Sequence, residues 1–560
     1  NFTGRRIGWP VATIAAMALW LVVAGPFIAC DLSGGGFKVQ QSATPASGDV
    51  PNIPTIPGTP GGGNNPPPTN DGVFAGTWVA AYGDAVVGQA AVNTNAQYAV
   101  RLRLTHSGSK VAGEGTMLRA LRTGATAFDE VAVTVAGTAS GDSLTMTLTP
   151  RQSGRLDANH TWHLRRSASR MTGMFDVVDG SGNLRRAGEA IWYKTVNATL
   201  SDNWVSAFSD GFGLTAFPPT SRTALMVLAE AGTELTGNGA YVEQIRSQTP
   251  QDLEFSIVSG SLANSTLNYT FGGLDLTDAE VDWKGFSSGN VLVTAYGQFD
   301  TSASLVRNGH ATWFRSPTAT PGAVDGNWVT SFSDEETASG REPADYTLHG
   351  RLTVGEDGVI TGRLRMFNAL EPVPDETSLD IVDGSIVGTR VQFNLADAGR
   401  TFIWDLRLAN GLLVGSYQLV DNQGRFVARG HAQWRSRTNI NLNGTWAAAF
   451  TDTLGETTGP LPQFVLMNIT SVTADGQVLG TGALRFAGET SRRLFSVSGQ
   501  VNGIDARLSW SGPDLFGETA WRLRQAGNEM YGTYTNFNSE GAMEFRGSAF
   551  WLPTSRDANP

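Results

Sequence analysis

Twelve of the fifteen tryptophans in this 560-residue chain fall into four sets of three: Trp78, Trp162 and Trp192; Trp204, Trp283 and Trp313; Trp328, Trp404 and Trp434; Trp446, Trp521 and Trp551. Between the second and third member of each set lies an aromatic (Phe175, Tyr296, Tyr417, Tyr534), 13 residues after the one and 17 before the other in every copy. A register held four times is an internal repeat, and its interval of about 118 to 126 residues is the size of a domain. Four domains follow, over residues 73–197, 198–318, 319–438 and 439–560. Each can bury a core without disulfides or metal, which suits a chain with one cysteine.

Within a repeat the apolar residues alternate with Thr, Ser and Arg, the period of strands and not of helices. Each repeat opens on a strand with Trp followed four positions later by an aromatic on the same face: Tyr82, Phe208, Phe332 and Phe450. A returning strand reads aliphatic, any, glycine (Val111-Ala112-Gly113, Leu235-Thr236-Gly237, Ile360-Thr361-Gly362, Val478-Leu479-Gly480), with turn pairs such as Asp357-Gly358 and Asp475-Gly476 just before it. The last strand repeats most closely: Gly188-Glu189-Ala190-Ile191-Trp192, Gly309-His310-Ala311-Thr312-Trp313, Gly430-His431-Ala432-Gln433-Trp434 and Gly547-Ser548-Ala549-Phe550-Trp551. Seven or eight antiparallel strands per repeat, joined by successive hairpins, close most economically into a barrel that has no edges. The expected fold is all-β, four tandem up-and-down β-barrels of about 110 to 120 residues. The alternative is a tandem array of immunoglobulin-like sandwiches.

The repeats open on Gly76-Thr77-Trp78, Asn203-Trp204, Asn327-Trp328 and Gly444-Thr445-Trp446, and this Gly-Thr-Trp opening, the up-and-down order and the closing aromatic strand resemble the calycin superfamily, the avidins and lipocalins. The resemblance implies an opening tryptophan packed near one end of its barrel under a basic residue from the last strands. Lys194, Arg315 and Arg435 take that role in repeats one to three, and Leu552-Pro553 leaves repeat four without one. In avidins the positions two and six after the opening tryptophan carry polar ligand contacts. Position two is Ala80, Ser206, Thr330 and Ala448, so repeats one and four lack the matching group and biotin binding does not transfer. Position six is aspartate in every copy: Asp84, Asp210, Asp334 and Asp452. These aspartates are the candidate ligand-binding residues, at the barrel mouths. Alternatively, each shapes the first turn by bonding nearby backbone amides.

Ahead of the repeats, residues 1–30 combine Arg5 and Arg6, an uncharged stretch from Val11 to Ala29, and Phe-Ile-Ala-Cys ending at Cys30. This is the layout of a secretory signal, and its end resembles a bacterial lipobox, with Cys30 as the lipidation site. The alternative is an uncleaved signal anchor. Residues 31–72 hold eight of the 24 prolines and runs of glycine, a composition that cannot bury a core and reads as a disordered tether. The expected location is the cell envelope, with the membrane as partner through an N-terminal lipid and everything after residue 30 on its outer side.

Chemistry does not repeat with the scaffold. Gly285-Phe286-Ser287-Ser288-Gly289 matches the nucleophile-elbow string but falls in a turn between strands with no following helix. His160 and His163 are the one histidine pair at short spacing, and odd spacing in a strand points them to opposite faces. His310 and His431 recur, with Glu189 and Ser548 at the equivalent places. No metal, cofactor or catalytic residue is assigned. A net charge of −11 with only 16% charged residues provides no basic stripe for nucleic acid. The function expected is non-enzymatic display of four barrels for binding or adhesion, toward an envelope protein, a glycan or a small apolar ligand. The alternatives are a carrier of a small apolar ligand and an envelope polysaccharide hydrolase. Joints of 12 to 15 residues between the last tryptophan of one repeat and the first of the next suggest a semi-rigid rod.

Overall fold

Period-two alternation decides which way each side chain points. In the opening strand Gly76–Gly83, Trp78, Ala80 and Tyr82 share one face and Val79 and Ala81 the other. In the computed structural model the first set joins an enclosed core with Trp162, Phe175 and Trp192, while Val79 and Ala81 join a separate apolar cluster outside that core. The structure describes most of residues 72–555. Residues 1–71 and 556–560, the stretches 88–95, 121–127, 153–158, 214–218, 245–249, 274–278, 317–320, 370–375, 438–441 and 456–460, and positions 85, 197, 264, 301, 303, 398 and 516 fall outside that description. Cys30, the segment expected to be a secretory signal and nearly all of the Pro/Gly-rich stretch lie among them.

Each repeat is a closed antiparallel barrel of eight strands in sequence order, the first pairing with the second and with the last. Barrel two runs Asp202–Gly213, Ser221–Ala231, Glu234–Gln244, Gln251–Ala263, Thr266–Gly272, Ala279–Ser287, Val291–Asp300 and Leu305–Arg315. The other opening strands are Gly76–Gly83, Gly326–Ser333 and Gly444–Thr451, and the other closing strands Leu184–Lys194, Phe426–Ser436 and Met543–Thr554. Every long strand pairs with its neighbours in sequence, so the barrel expectation holds, and the crossing connections of a sandwich do not occur among the described residues. One 3₁₀ turn, Pro321–Ala323, leads into barrel three.

The tryptophan register is the interior of each barrel. Second and third tryptophans meet edge to face, with centroids 5.1 Å apart for Trp162 and Trp192, 5.5 Å for Trp283 and Trp313, 5.2 Å for Trp404 and Trp434, and 5.2 Å for Trp521 and Trp551. The intervening aromatic lies 4.5 to 5.0 Å from the second tryptophan in all four barrels. Each opening indole donates to the backbone carbonyl four residues before it: Phe74 at 2.8 Å and Leu200, Val324 and Leu442 at 2.9 Å. That bond ties the lead-in segment across one end of the barrel. The basic residue expected over this tryptophan is present twice, Lys194 at 5.7 Å from Trp78 and Arg315 at 4.7 Å from Trp204. Arg435 departs from the expectation. Lys194 and Arg315 pair in register with their tryptophans, whereas Trp328 pairs with Ser436. One residue of offset turns Arg435 to the outside, where it reaches Glu529 of barrel four at 2.8 Å.

The barrels do not form a rod. Within the compact unit Pro66–Pro560, the first two long strands of each barrel pack on the last two or three strands of the next, and those of barrel four pack on barrel one. Barrels one and two share Val79, Ala81 and Ala99 against Phe286, Val293 and Phe314. Barrels three and four share Val329 against Ile504, Ala526 and Tyr531, and the returning contact sets Ala447, Phe464 and Leu466 against Met174 and Ala187. A head-to-tail contact made four times closes into a ring when its rotation is near a quarter turn, which is how heterologous interfaces avoid open filaments. The 12-to-15-residue joints serve either arrangement, so nothing local in the chain separated the two.

Candidate functional site

At the mouth of each barrel the opening strand breaks six residues after its tryptophan. In barrel two the break is a bulge between Asp210 and Phe212 against the closing strand; elsewhere pairing with that strand resumes at Val86, Glu336 and Leu454. A bulge re-aims the side chain it carries. That side chain is the recurring aspartate, and all four are buried. The backbone N–H of Asp84, Asp210, Asp334 and Asp452 donates to the carbonyl of Ala96, Thr220, Ala344 and Leu461 respectively. Three of the carboxylates accept the return N–H, from Ala96 at 3.3 Å, Thr220 at 2.7 Å and Ala344 at 2.9 Å, and Asp452 accepts the Gln463 amide instead. Toward the interior the carboxylate accepts a phenol from the fixed-register aromatic, Tyr296 at 2.5 Å, Tyr417 at 2.8 Å and Tyr534. Barrel one has Phe175 there, and Asp84 faces Arg186 at 4.0 Å. The four aspartates thus bind loop to core inside their own barrels.

Within the same register the carboxyls are shifted in opposite directions. Burial pushes Asp84 and Asp452 up to about 7 and Asp334 to about 6, because hydrogen bonds and, for Asp84 and Asp334, nearby arginines offset only part of the desolvation. Burial acts on Asp210 too, but Arg222 at 2.7 Å and Arg307 at 3.7 Å overcome it and hold that carboxyl below its usual value. Glu243 completes the network, 2.7 Å from Arg222 and 2.9 Å from Arg307.

The residue before the last alanine of each closing strand forms the joint to the preceding barrel. His310 Nδ1 meets Gln97 Oε1 at 2.6 Å, His431 Nδ1 meets Ser209 at 3.3 Å, Ser548 meets Ser333 at 2.9 Å, and Glu189 accepts from Thr451 at 3.0 Å. Gln97 fits because Gly83 and Gly211 flank it; a Cβ at either would meet its amide at 2.5 or 2.1 Å. His310 and His431 are therefore joint residues. His160 and His163 do point apart, His160 stacking on Phe175 inside barrel one at 5.0 Å and His163 meeting Arg485 of barrel four at 2.7 Å. His349, Glu376 and Asp505 gather ligand-type atoms within 4.8 Å of one another between barrels three and four. Arg524 ion-pairs with both carboxylates and Arg365 reaches Glu376 at 3.2 Å, so the cluster is a charge-balanced joint.

Open space of ligand size lies outside the barrels. A groove of about 760 Å³ runs between barrels one and two, walled by Arg101, Arg103, Glu114 and Thr116 on one side and Glu230, Leu262 and Ser287 on the other, over Thr195, Val196, Ala198 and Leu200 of the joint. Inside barrel four, between Trp510, Trp521 and Tyr534, the cavity is about 20 Å³, close to the room for one water. The groove was not foreseen from sequence, although Arg101 and Arg103 alternate on the outer face of one strand.

Residues 480–550 match the family model of the OAA-family lectin sugar binding domain; they span most of the last six strands of barrel four. A comparison with curated protein sequences finds no match. Among solved structures, similar chains include transferrin binding protein B from serogroup B Neisseria meningitidis (9% identity, 69% of this chain and 84% of that one, TM-score 0.20). Another is transferrin binding protein B from Haemophilus parasuis (9%, 90% and 98%, TM-score 0.19). A third is kievitone hydratase from Nectria haematococca (10%, 43% and 94%, TM-score 0.20). At these scores the structural likenesses carry no functional argument.

Proposed function

We propose that the chain is a non-enzymatic, sugar-binding protein of the cell envelope, held at the membrane through Cys30. One geometric observation supports it above others: among the described residues the barrel interiors are occupied by their own aromatics, and a ligand-sized polar groove lies on the outside between barrels one and two. A carrier of a small apolar ligand needs a cavity of several hundred Å³ inside a barrel, against about 20 Å³ in barrel four. The lectin-domain match in barrel four supports saccharide as the ligand class. Screening the purified full chain against an array of bacterial and host glycans tests the reading; binding to saccharides above an albumin control is expected, and uniform failure to bind any of them contradicts it. Mass spectrometry of the mature protein, with and without Cys30→Ala, tests the anchor: the wild type is expected to carry the lipid, and an unmodified Cys30 in membrane-associated protein contradicts it.

A further inference from the structure

The groove between barrels one and two has a chemistry that narrows its ligand. Arg101 and Arg103 stand two residues apart on the outer face of the strand Gln97–Ser107, so their side chains rise side by side, about 7 Å apart. Arg151 enters beside them, just beyond the strand Ser143–Pro150, and lines both the groove and an adjoining hollow of about 480 Å³ together with Thr77, Arg103 and Glu114. The three guanidiniums are not equivalent. Arg101 lies 5.0 Å over the Phe286 ring of barrel two, which fixes its plane across the joint. Arg151 pairs with Glu114, but both side chains are about half exposed or more (49% and 63%), so that pair is weak and exchangeable. Arg103 is exposed and stands directly across the ladder from Glu114, whose carboxylate is drawn to Arg151, so its guanidinium makes no close ion pair among the described residues.

We propose that this groove binds an acidic oligosaccharide, whose carboxylate or sulfate-ester groups are held by Arg103 and Arg151 while its hydroxyls meet Thr77, Thr116 and Glu114. The inference rests on the sugar-binding reading and specifies its ligand. Guanidinium forks match carboxylate and sulfate oxygens in pairs, whereas neutral sugars give them nothing of opposite charge. The chain as a whole is anionic at −11, so its distant field opposes such a ligand. At physiological salt that field is screened beyond about 8 Å, and the local arginines decide.

The test is a titration of the full chain with a short oligogalacturonate, a sulfated oligosaccharide of similar length and a neutral maltooligosaccharide, at low and high salt. The expected result is binding of one or both acidic probes, which identifies carboxylate or sulfate as the group read, weakened about tenfold between about 0.05 and 0.5 M salt. Arg103→Glu and, separately, Arg151→Glu are each expected to weaken binding about tenfold or more; each also sets a second carboxylate beside Glu114, so the melting temperature falls slightly, as it does for Arg363→Glu beside Asp380. Arg363→Glu, an exposed change of the same charge on barrel three, is expected to leave binding within about twofold. Equal losses from all three variants, or binding of the neutral probe as tight as that of the acidic ones, overturn the proposal. Binding of neutral saccharide alone overturns it while leaving the sugar-binding reading intact; no binding of any saccharide here or on the array overturns both.

Discussion

At the scale of single residues, the aspartate six positions past each opening tryptophan shows what the register conveys and what it leaves out. Its recurrence and its interior phase were legible, because strand parity is local. Its partners were not: Tyr417, Arg222 and Gln463 reach it across pairings that no spacing announces. Two outcomes follow at this scale. Tyr417→Phe removes the phenol that Asp334 accepts at 2.8 Å while keeping a ring that barrel one already accommodates as Phe175. The expected cost is about 1 to 3 kcal/mol, measured by urea denaturation with hydrogen exchange to confirm that barrel three is the part affected. The second concerns pH. The folded state raises Asp452 from 3.8 to about 7, so it favours the protonated form, and the stability this group contributes is complete below about pH 4 and lost as the pH rises toward 7. Asp452→Asn is therefore expected to flatten the decline in stability over that window in denaturation series. Asp210, held below its usual value by Arg222 and Arg307, has the opposite sign and loses its contribution as the pH falls through its folded value.

At the scale of elements, the length-invariant block from second to third tryptophan has two tasks. Its inward face closes the barrel, and its outward face receives the opening strands of the preceding barrel, so an insertion there is opposed by both. The sequence reading recognised the first task and missed the second. The signal was present in the outward phase of the opening strands: Val79 and Ala81, Val205 and Ala207, Val329 and Ser331, Ala447 and Ala449 are apolar or small where a solvent-facing strand carries charge. Arg435 was misassigned for a related reason, since a single residue of offset reverses a strand's faces. Trp328→Phe is expected to cost about 1 to 3 kcal/mol, because the replacement leaves the Val324 carbonyl without its 2.9 Å donor and loses ring volume; the loss is read from the denaturation midpoint. Ala447→Leu adds bulk at a fully buried position of the barrel four to barrel one contact and is expected to weaken that contact by about 1 to 3 kcal/mol, seen as faster hydrogen exchange in the strands around Met174 and Phe464.

At the scale of the whole molecule, ring closure depends on contacts far apart in sequence. Ser555, beyond the last strand, donates its backbone N–H to Asp142 of barrel one at 3.1 Å, and its carbonyl accepts from Arg165 at 2.8 Å. Glu529 of barrel four, almost wholly buried, lies between Arg170 of barrel one at 2.6 Å and Arg435 of barrel three at 2.8 Å. Removing the one anion strands two cations, so Glu529→Ala is expected to destabilise the assembly by about 3 to 5 kcal/mol. None of this was legible in the chain, because the four copies constrain one barrel's interior strongly and the angle between barrels hardly at all. Small-angle scattering on residues 66–560 tests the ring most directly. Closure of barrel four onto barrel one predicts a radius of gyration of about 23 Å, the value of a compact body of that length, whereas four barrels in line give about 40 Å and would contradict it.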